Sequence, residues 1–208
     1  TRRAIELYEQ DLAIAREIGH RRGEAVAMGN LGLAYADLGE SRRAIELNEQ
    51  YLAIAREIGY RRGEATATGN LGRAYGDLGE TRRAIEFFEQ QLAIVREIGD
   101  RHGEGLATGN LGIAYADLGE TRRAIELYEQ HLAIAREIGD RLGEANACWN
   151  LGLELEKLGE LGRAAAMMQV GVGYLREIGH PDTEKHAAYV EALRGRMGDA
   201  NALDAPPD

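Results

Sequence analysis

A block of 40 residues runs through this chain four times with few changes and a fifth time in decayed form. Residues 1–40 and 121–160 agree at 30 of their 40 positions. Self-similarity at such a period marks a stacked repeat: one unit is too small to bury its own apolar face and does so against its neighbours. The 208 residues therefore read as one array with a thin, continuous core. Such an array displays surface along its whole length, so partner binding is expected before catalysis.

Glycine divides each block. Gly19, Gly59, Gly99, Gly139 and Gly179 each follow Arg-Glu-Ile, and Gly39, Gly79, Gly119 and Gly159 mark a second stop 20 residues later. Glycine just past a periodic segment is a helix end. Between stops, apolar residues fall at helical spacing, as in Ala44, Ile45, Leu47, Tyr51, Leu52, Ile54, Ala55 and Ile58. The pattern predicts helices at 2–18, 22–38, 42–58, 61–78, 82–98, 101–118, 122–138, 141–158, 162–178 and 182–197, and no strand. Ser41, Thr81 and Thr121 stand where an N-cap belongs, as do Asp100 and Asp140 for the other helix of their units. Pro181 suits the first turn of the last helix. The units are a half repeat at 1–20, helix pairs at 21–60, 61–100, 101–140 and 141–180, and a capping helix at 181–198. The tail at 199–208, with Pro206 and Pro207, is expected to be disordered.

Composition narrows the partners. The 25 Lys and Arg against 35 Asp and Glu give a net charge of −10. Nucleic acid would demand a basic stripe, which is absent, and an anionic membrane surface is disfavoured on the same ground. No apolar run is long enough to span a bilayer, and the first residues do not read as a secretory leader, so none is expected. Cys148 is the single cysteine, so a disulfide frame is excluded and a reducing, cytoplasmic compartment is expected. The chain begins inside a repeat, at Thr1, and reads as a piece of something longer.

The segment Asn30-Leu31-Gly32-x-Ala34-Tyr35-x-x-Leu38-Gly39, followed by Ala44 and Leu47, resembles the tetratricopeptide-repeat (TPR) signature. It recurs at Asn70–Gly79 and Asn110–Gly119 and thins at Asn150–Gly159, where Leu155 replaces the tyrosine. Met28, Thr68, Thr108 and Cys148 replace the tryptophan that opens the pattern, and the closing proline is missing. This lengthened form is similar to the repeats of kinesin light chains, of Pins/LGN scaffolds and of bacterial signal-transduction ATPases of the STAND class. The Arg, Ala and Gly bias with near-identical copies points to a bacterial source. The resemblance implies a right-handed α-solenoid superhelix of antiparallel helix pairs.

In such a solenoid the first helix of each pair lines the inner wall. The inward stripe is then Val26, Gly29, Asn30, Leu33 and Asp37 in the first full pair, and Thr66, Gly69, Asn70, Arg73 and Asp77 in the second. The third pair contributes Leu106, Gly109, Asn110, Ile113 and Asp117, and the fourth Asn146, Trp149, Asn150, Leu153 and Lys157. These positions differ most between copies, as expected of a binding face and also of drift away from the core. The resemblance implies that Asn30, Asn70, Asn110 and Asn150 hold the backbone of an extended peptide; the alternative is that they tie adjacent helices together. Trp149 is either an anchor for a ligand or packing against the next helix. Asp37, Asp77 and Asp117 form an acidic edge suited to a basic or mixed-charge partner.

The first helix lacks a preceding neighbour. Its stripe, with Ala4, Ile5, Tyr8, Leu12 and Ala15, is expected to lie open through truncation of a longer array or to serve end-to-end self-association. Catalysis finds little support. His20, His102, His131, His180 and His186 sit at loop or outer positions without metal-ligand spacing, and neither a phosphate loop nor a cofactor motif is present. The reading is a non-enzymatic scaffold for a peptide or protein segment. The alternatives are a sensor arm of a larger signalling ATPase or effector, or a self-assembling module.

Overall fold

The computed structural model describes residues 2–203, with side chains described to residue 196. Ten α-helices follow one another: α1 (Arg2–Glu17), α2 (Arg21–Ala36), α3 (Ser41–Glu57), α4 (Arg61–Asp77), α5 (Thr81–Glu97), α6 (Arg101–Asp117), α7 (Thr121–Ile138), α8 (Arg141–Lys157), α9 (Leu161–Glu177) and α10 (Thr183–Leu203). No strand occurs among the described residues. The chain forms two compact units, Thr1–Ala114 and Tyr115–Asp208, parted within α6.

Nine glycine stops share one conformation, with φ between +63° and +78°. At Gly59 the two bonds that close the helix are Gly59 N–H to Arg56 O (3.2 Å) and Tyr60 N–H to Ala55 O (2.8 Å). This left-handed closure is open to glycine at no steric penalty. Helix starts differ from expectation. Ser41, Thr81 and Thr121 are first helical residues, and the preceding glutamates Glu40, Glu80 and Glu120 occupy the cap without a side-chain bond. Asp100 and Asp140 do cap, accepting from Gly103 N–H (2.9 Å) and Gly143 N–H (2.8 Å). Pro181 lies in the turn before α10 rather than inside it. That helix runs on to Leu203, past the expected end at 198; 204–208 lie outside the described residues.

Packing follows the pairs. In unit 1, α2 packs on α3 and α4 on α5, with α1 against α2 and α3 against α4; in unit 2, α8 packs on α9, α7 on α8 and α10 on α9. Small residues of the first helices let the second helices approach. A Cβ at Gly72 would stand 2.5 Å from the buried Phe88 ring, and one at Gly152 would stand 3.0 Å from the Ala164 carbonyl oxygen. Ala65 of α4 clusters with Ile94 and Val95 of α5. Burying a side chain such as Ile94 contributes roughly 1.5–3 kcal/mol.

A repeated ion-pair ladder joins the helices of unit 1. Glu24 in α2 is buried and takes Arg16 of α1 (3.0 Å) and Arg21 of its own helix (2.5 Å); Arg21 also reaches Glu57 of α3. Glu64 repeats this with Arg56 and Arg61, and Arg61 goes on to Glu97; Glu104 repeats it with Arg96 and Arg101. The Arg16 hydrogen bond, helped by Arg21, holds the Glu24 carboxyl below its ordinary pKa. Burial alone pushes Glu64 and Glu104 up, but their two arginines outweigh it and bring both below the ordinary carboxylate value. A depressed folded pKa stabilises the fold above the unfolded value, near pH 4, and that contribution is lost as pH falls through the folded pKa. The urea midpoint of the chain is therefore expected to be flat from pH 7 to 5 and to drop below about pH 4. In a Glu64→Gln variant that acid loss shrinks, and the neutral-pH midpoint falls by the equivalent of about 1–3 kcal/mol.

The expected open stripe on α1 needs correction. Ile5 and Ala15 are buried, and Tyr8 and Leu12 are half-buried, because α2 covers that side. The exposed apolar face is Leu7, Ile14 and Ile18.

Candidate functional site

The outward stripe of the first helices in unit 1 consists of Val26 and Leu33 on α2, Thr66 and Arg73 on α4, and Leu106 and Ile113 on α6, all exposed. Residues seven apart share a helix face. Leu106 and Ile113 keep 48% and 47% of their surface open although large aliphatic side chains normally pack inside. Between α4 and α6 lies a cleft of about 320 Å³. Asn70, Arg73, Leu106 and Asn110 stand on its walls, and Gln91 and Val95 of α5 contribute to its lining. Arg62 and Arg73 carry positive charge into it and make no ion pair among the described residues.

The four asparagines are not equivalent. Asn70 is buried; its amide donates to Asn48 Oδ1 (3.0 Å) and its carbonyl accepts from Arg73 (2.8 Å). Asn48 in turn donates to the Ala44 carbonyl (2.8 Å), so Asn70 ties α4 to α3. Asn30, Asn110 and Asn150 are half-buried, and their side-chain amides make no hydrogen bond to another described residue. Asp37, Asp77 and Asp117 are exposed at the ends of α2, α4 and α6, where the helix dipole disfavours an anion.

In unit 2, Asn146 is exposed and Leu153 half-buried on α8, and Lys157 pairs with Glu154 (2.6 Å). Trp149 is half-buried. Its indole packs against α10, with His186 edge-on at 4.3 Å and Tyr189 at 5.9 Å between ring centroids. Tyr189 donates to Glu156 (2.6 Å), and Glu156 also pairs with Arg196 (2.5 Å), which fixes α10 over α8. Among the described residues no three His, Cys, Asp or Glu side chains gather as metal ligands, and no helix is long and apolar enough to cross a membrane.

The tetratricopeptide-repeat family model matches residues 2–57, 63–137 and 106–172. The chain belongs to the tetratricopeptide-repeat family. No curated protein matches it significantly in sequence. Its fold is similar to that of BtubC (BKLC) from P. vanneervenii, at 17% identity and a TM-score of 0.73 over 100% of this chain and 94% of that one. It is also similar to the nearly identical TPR-like repeats of a putative kinesin light chain from Podosopora anserina, at 23% identity and a TM-score of 0.66 over 86% and 89% of the two chains. A Rap protein complexed with competence and sporulation factor matches at 17% identity and a TM-score of 0.67, over 94% of this chain and 59% of that one.

Arg62, Gln91 and His102 are among the cleft residues of this tetratricopeptide-repeat chain that the inward stripe read from the sequence did not include. Arg62 and His102 sit one turn before the stripe. Gln91 belongs to a second helix, and the signal for it is variation: Tyr51, Gln91, His131 and Gly171 occupy one position of otherwise copied segments. The facing position is glycine at 29, 69 and 109 and tryptophan at 149, where the second-helix position is glycine. Gly29 makes room for Tyr51 and Gly69 for Gln91, whereas Trp149 fills the space that Gly171 leaves.

Proposed function

We propose that the chain is a non-catalytic interaction scaffold that holds a peptide or protein segment against the first helices of unit 1. The observation that carries this reading is two pairs of exposed aliphatic side chains, Val26 with Leu33 on α2 and Leu106 with Ile113 on α6, on either side of Thr66 and Arg73 of α4. Large aliphatic side chains left exposed in pairs on a repeat scaffold are suited to apolar side chains of a partner. Asn30 and Asn110, each able to donate and accept, supply backbone bonds to an extended ligand. Asn70 supports the wall instead of touching the ligand. Arg62 and Arg73 near the middle, with Asp37 and Asp77 at the edge, favour a segment of mixed charge flanked by apolar side chains. The Rap complex with competence and sporulation factor is a precedent for a second molecule held by this type of fold.

The test selects ligands from a displayed random peptide library and repeats the capture with substituted chains. Leu106→Asp and Ile113→Asp remove exposed side chains, so both variants should fold. Each is expected to weaken capture at least tenfold. Equal capture by the double variant would place the ligand elsewhere.

A further inference from the structure

The cleft between α4 and α6 holds polar groups that the exposed aliphatic pairs leave unused. We infer that it is a side-chain pocket for a carboxamide, a glutamine or asparagine of the bound segment, and that Gln91 selects it. The inference rests on the groove reading for the course of the ligand and adds which side chain sits at this point of it.

Gln91 is the residue that packing does not explain. It is half-buried on α5, its side chain makes no hydrogen bond among the described residues, and its Oε1 is shut off from water. A buried acceptor without a donor lowers stability. The fold does not require an amide here, because the same position of the first copy carries Tyr51, a buried ring that fills the space beside Gly29. In the second copy the smaller amide lies over Gly69, where a Cβ would stand 2.5 Å from Nε2 and 2.9 Å from Oε1. Glycine at that place leaves the amide room to turn toward the cleft of about 320 Å³.

The neighbouring groups decide the chemistry of the ligand. Arg62 and Arg73 bring donors to the cleft, and only one of them is engaged there, by Asn70 (2.8 Å from Arg73). Asp100 brings acceptors: Oδ1 takes Gly103 N–H (2.9 Å), and Oδ2 accepts no hydrogen bond among the described residues. An acidic side chain would face the Asp100 carboxylate and the Gln91 oxygen. A lysine would face two guanidiniums, and an aliphatic side chain would leave every one of these groups unpaired. A carboxamide donates and accepts at once. Its NH2 has hydrogens for the Gln91 and Asp100 oxygens, and its oxygen accepts from Arg62 or Arg73. Each arginine has five N–H donors and keeps capacity for an acidic residue elsewhere on the segment.

The probe is the blocked tripeptide acetyl-Ala-Gln-Ala-amide, titrated into the intact chain and followed by the Gln91 side-chain NH2 signals and the Leu106 methyls. Saturable shifts are expected, and the counterparts with Glu, Lys, Leu or Ala in the middle should bind more weakly by about fivefold or more. Gln91→Met removes no hydrogen bond of the free chain, so its urea midpoint should hold or rise. Its affinity for the glutamine probe, read from Leu106, should fall to that of the alanine counterpart. Absence of saturable binding, equal binding of the Glu or Ala probe, a destabilised Gln91→Met chain, or an unchanged affinity in that variant would each overturn the inference. Library capture that depends on Leu106 and Ile113 would in those cases leave the groove standing. Loss of that dependence with the tripeptide still bound would remove the groove and keep the pocket.

Discussion

Ile94→Asp is expected to unfold unit 1, while the identical substitution at Ile14 leaves its urea midpoint within experimental error. Both residues are isoleucines at one position of a copied sequence, so helix propensity and local charge pattern are nearly the same. They differ in their surroundings: 6% exposure beside Ala65 and Val95 for Ile94, against 56% for Ile14. At Ile94 the change removes a buried aliphatic side chain, worth about 2–5 kcal/mol, and buries a carboxylate that finds no partner. The sum approaches the 5–15 kcal/mol that typically holds a domain together. At Ile14 the carboxylate stays in water, and surface substitutions of this kind stay within about 0.5 kcal/mol. A large loss at Ile14 would mean that α1 is covered in solution.

Trp149→Gly should remove the indole that α10 rests on and destabilise unit 2 by about 3–5 kcal/mol. Loss of protection against hydrogen exchange should begin in α10. Gly171 lies beside that indole: its Cβ would stand 3.6 Å from the ring, so alanine fits and a larger side chain collides. Gly171→Tyr alone is accordingly expected to destabilise unit 2. The combination Trp149→Gly with Gly171→Tyr should recover at least 1 kcal/mol relative to the sum of the two, because it recreates the Gly29–Tyr51 arrangement of unit 1. Strict additivity would show that the two positions vary independently.

These two comparisons also mark how far the sequence could be read. Helix boundaries up to α9 fall within about two residues of expectation because glycine stops and apolar spacing act locally. The end of α10 escapes, since no glycine stop follows Gly179 and the boundary rested on composition alone. The open side of α1 was misplaced for a different reason. Ile5 and Ile14 lie on opposite sides of one helix, and only packing decides which side α2 covers. Asn70 and Asn110 look alike in sequence, but Asn48 captures the first, whereas Phe88 at the matching position of the next copy offers a ring in place of an amide. Trp149 could be assigned only by seeing that Gly171 had made room for it.

Methyl chemical shifts provide the most direct test of the binding wall. With Ile, Leu and Val methyls labelled in the intact chain, a library-selected segment is titrated in. Val26, Leu33, Leu106 and Ile113 are expected to shift together and saturate at one affinity, while Leu71 and Ile94 in the core and Leu7 and Ile14 on α1 stay in place. Shifts confined to α1 or to the second helices, with those four methyls unmoved at saturation, would contradict the account.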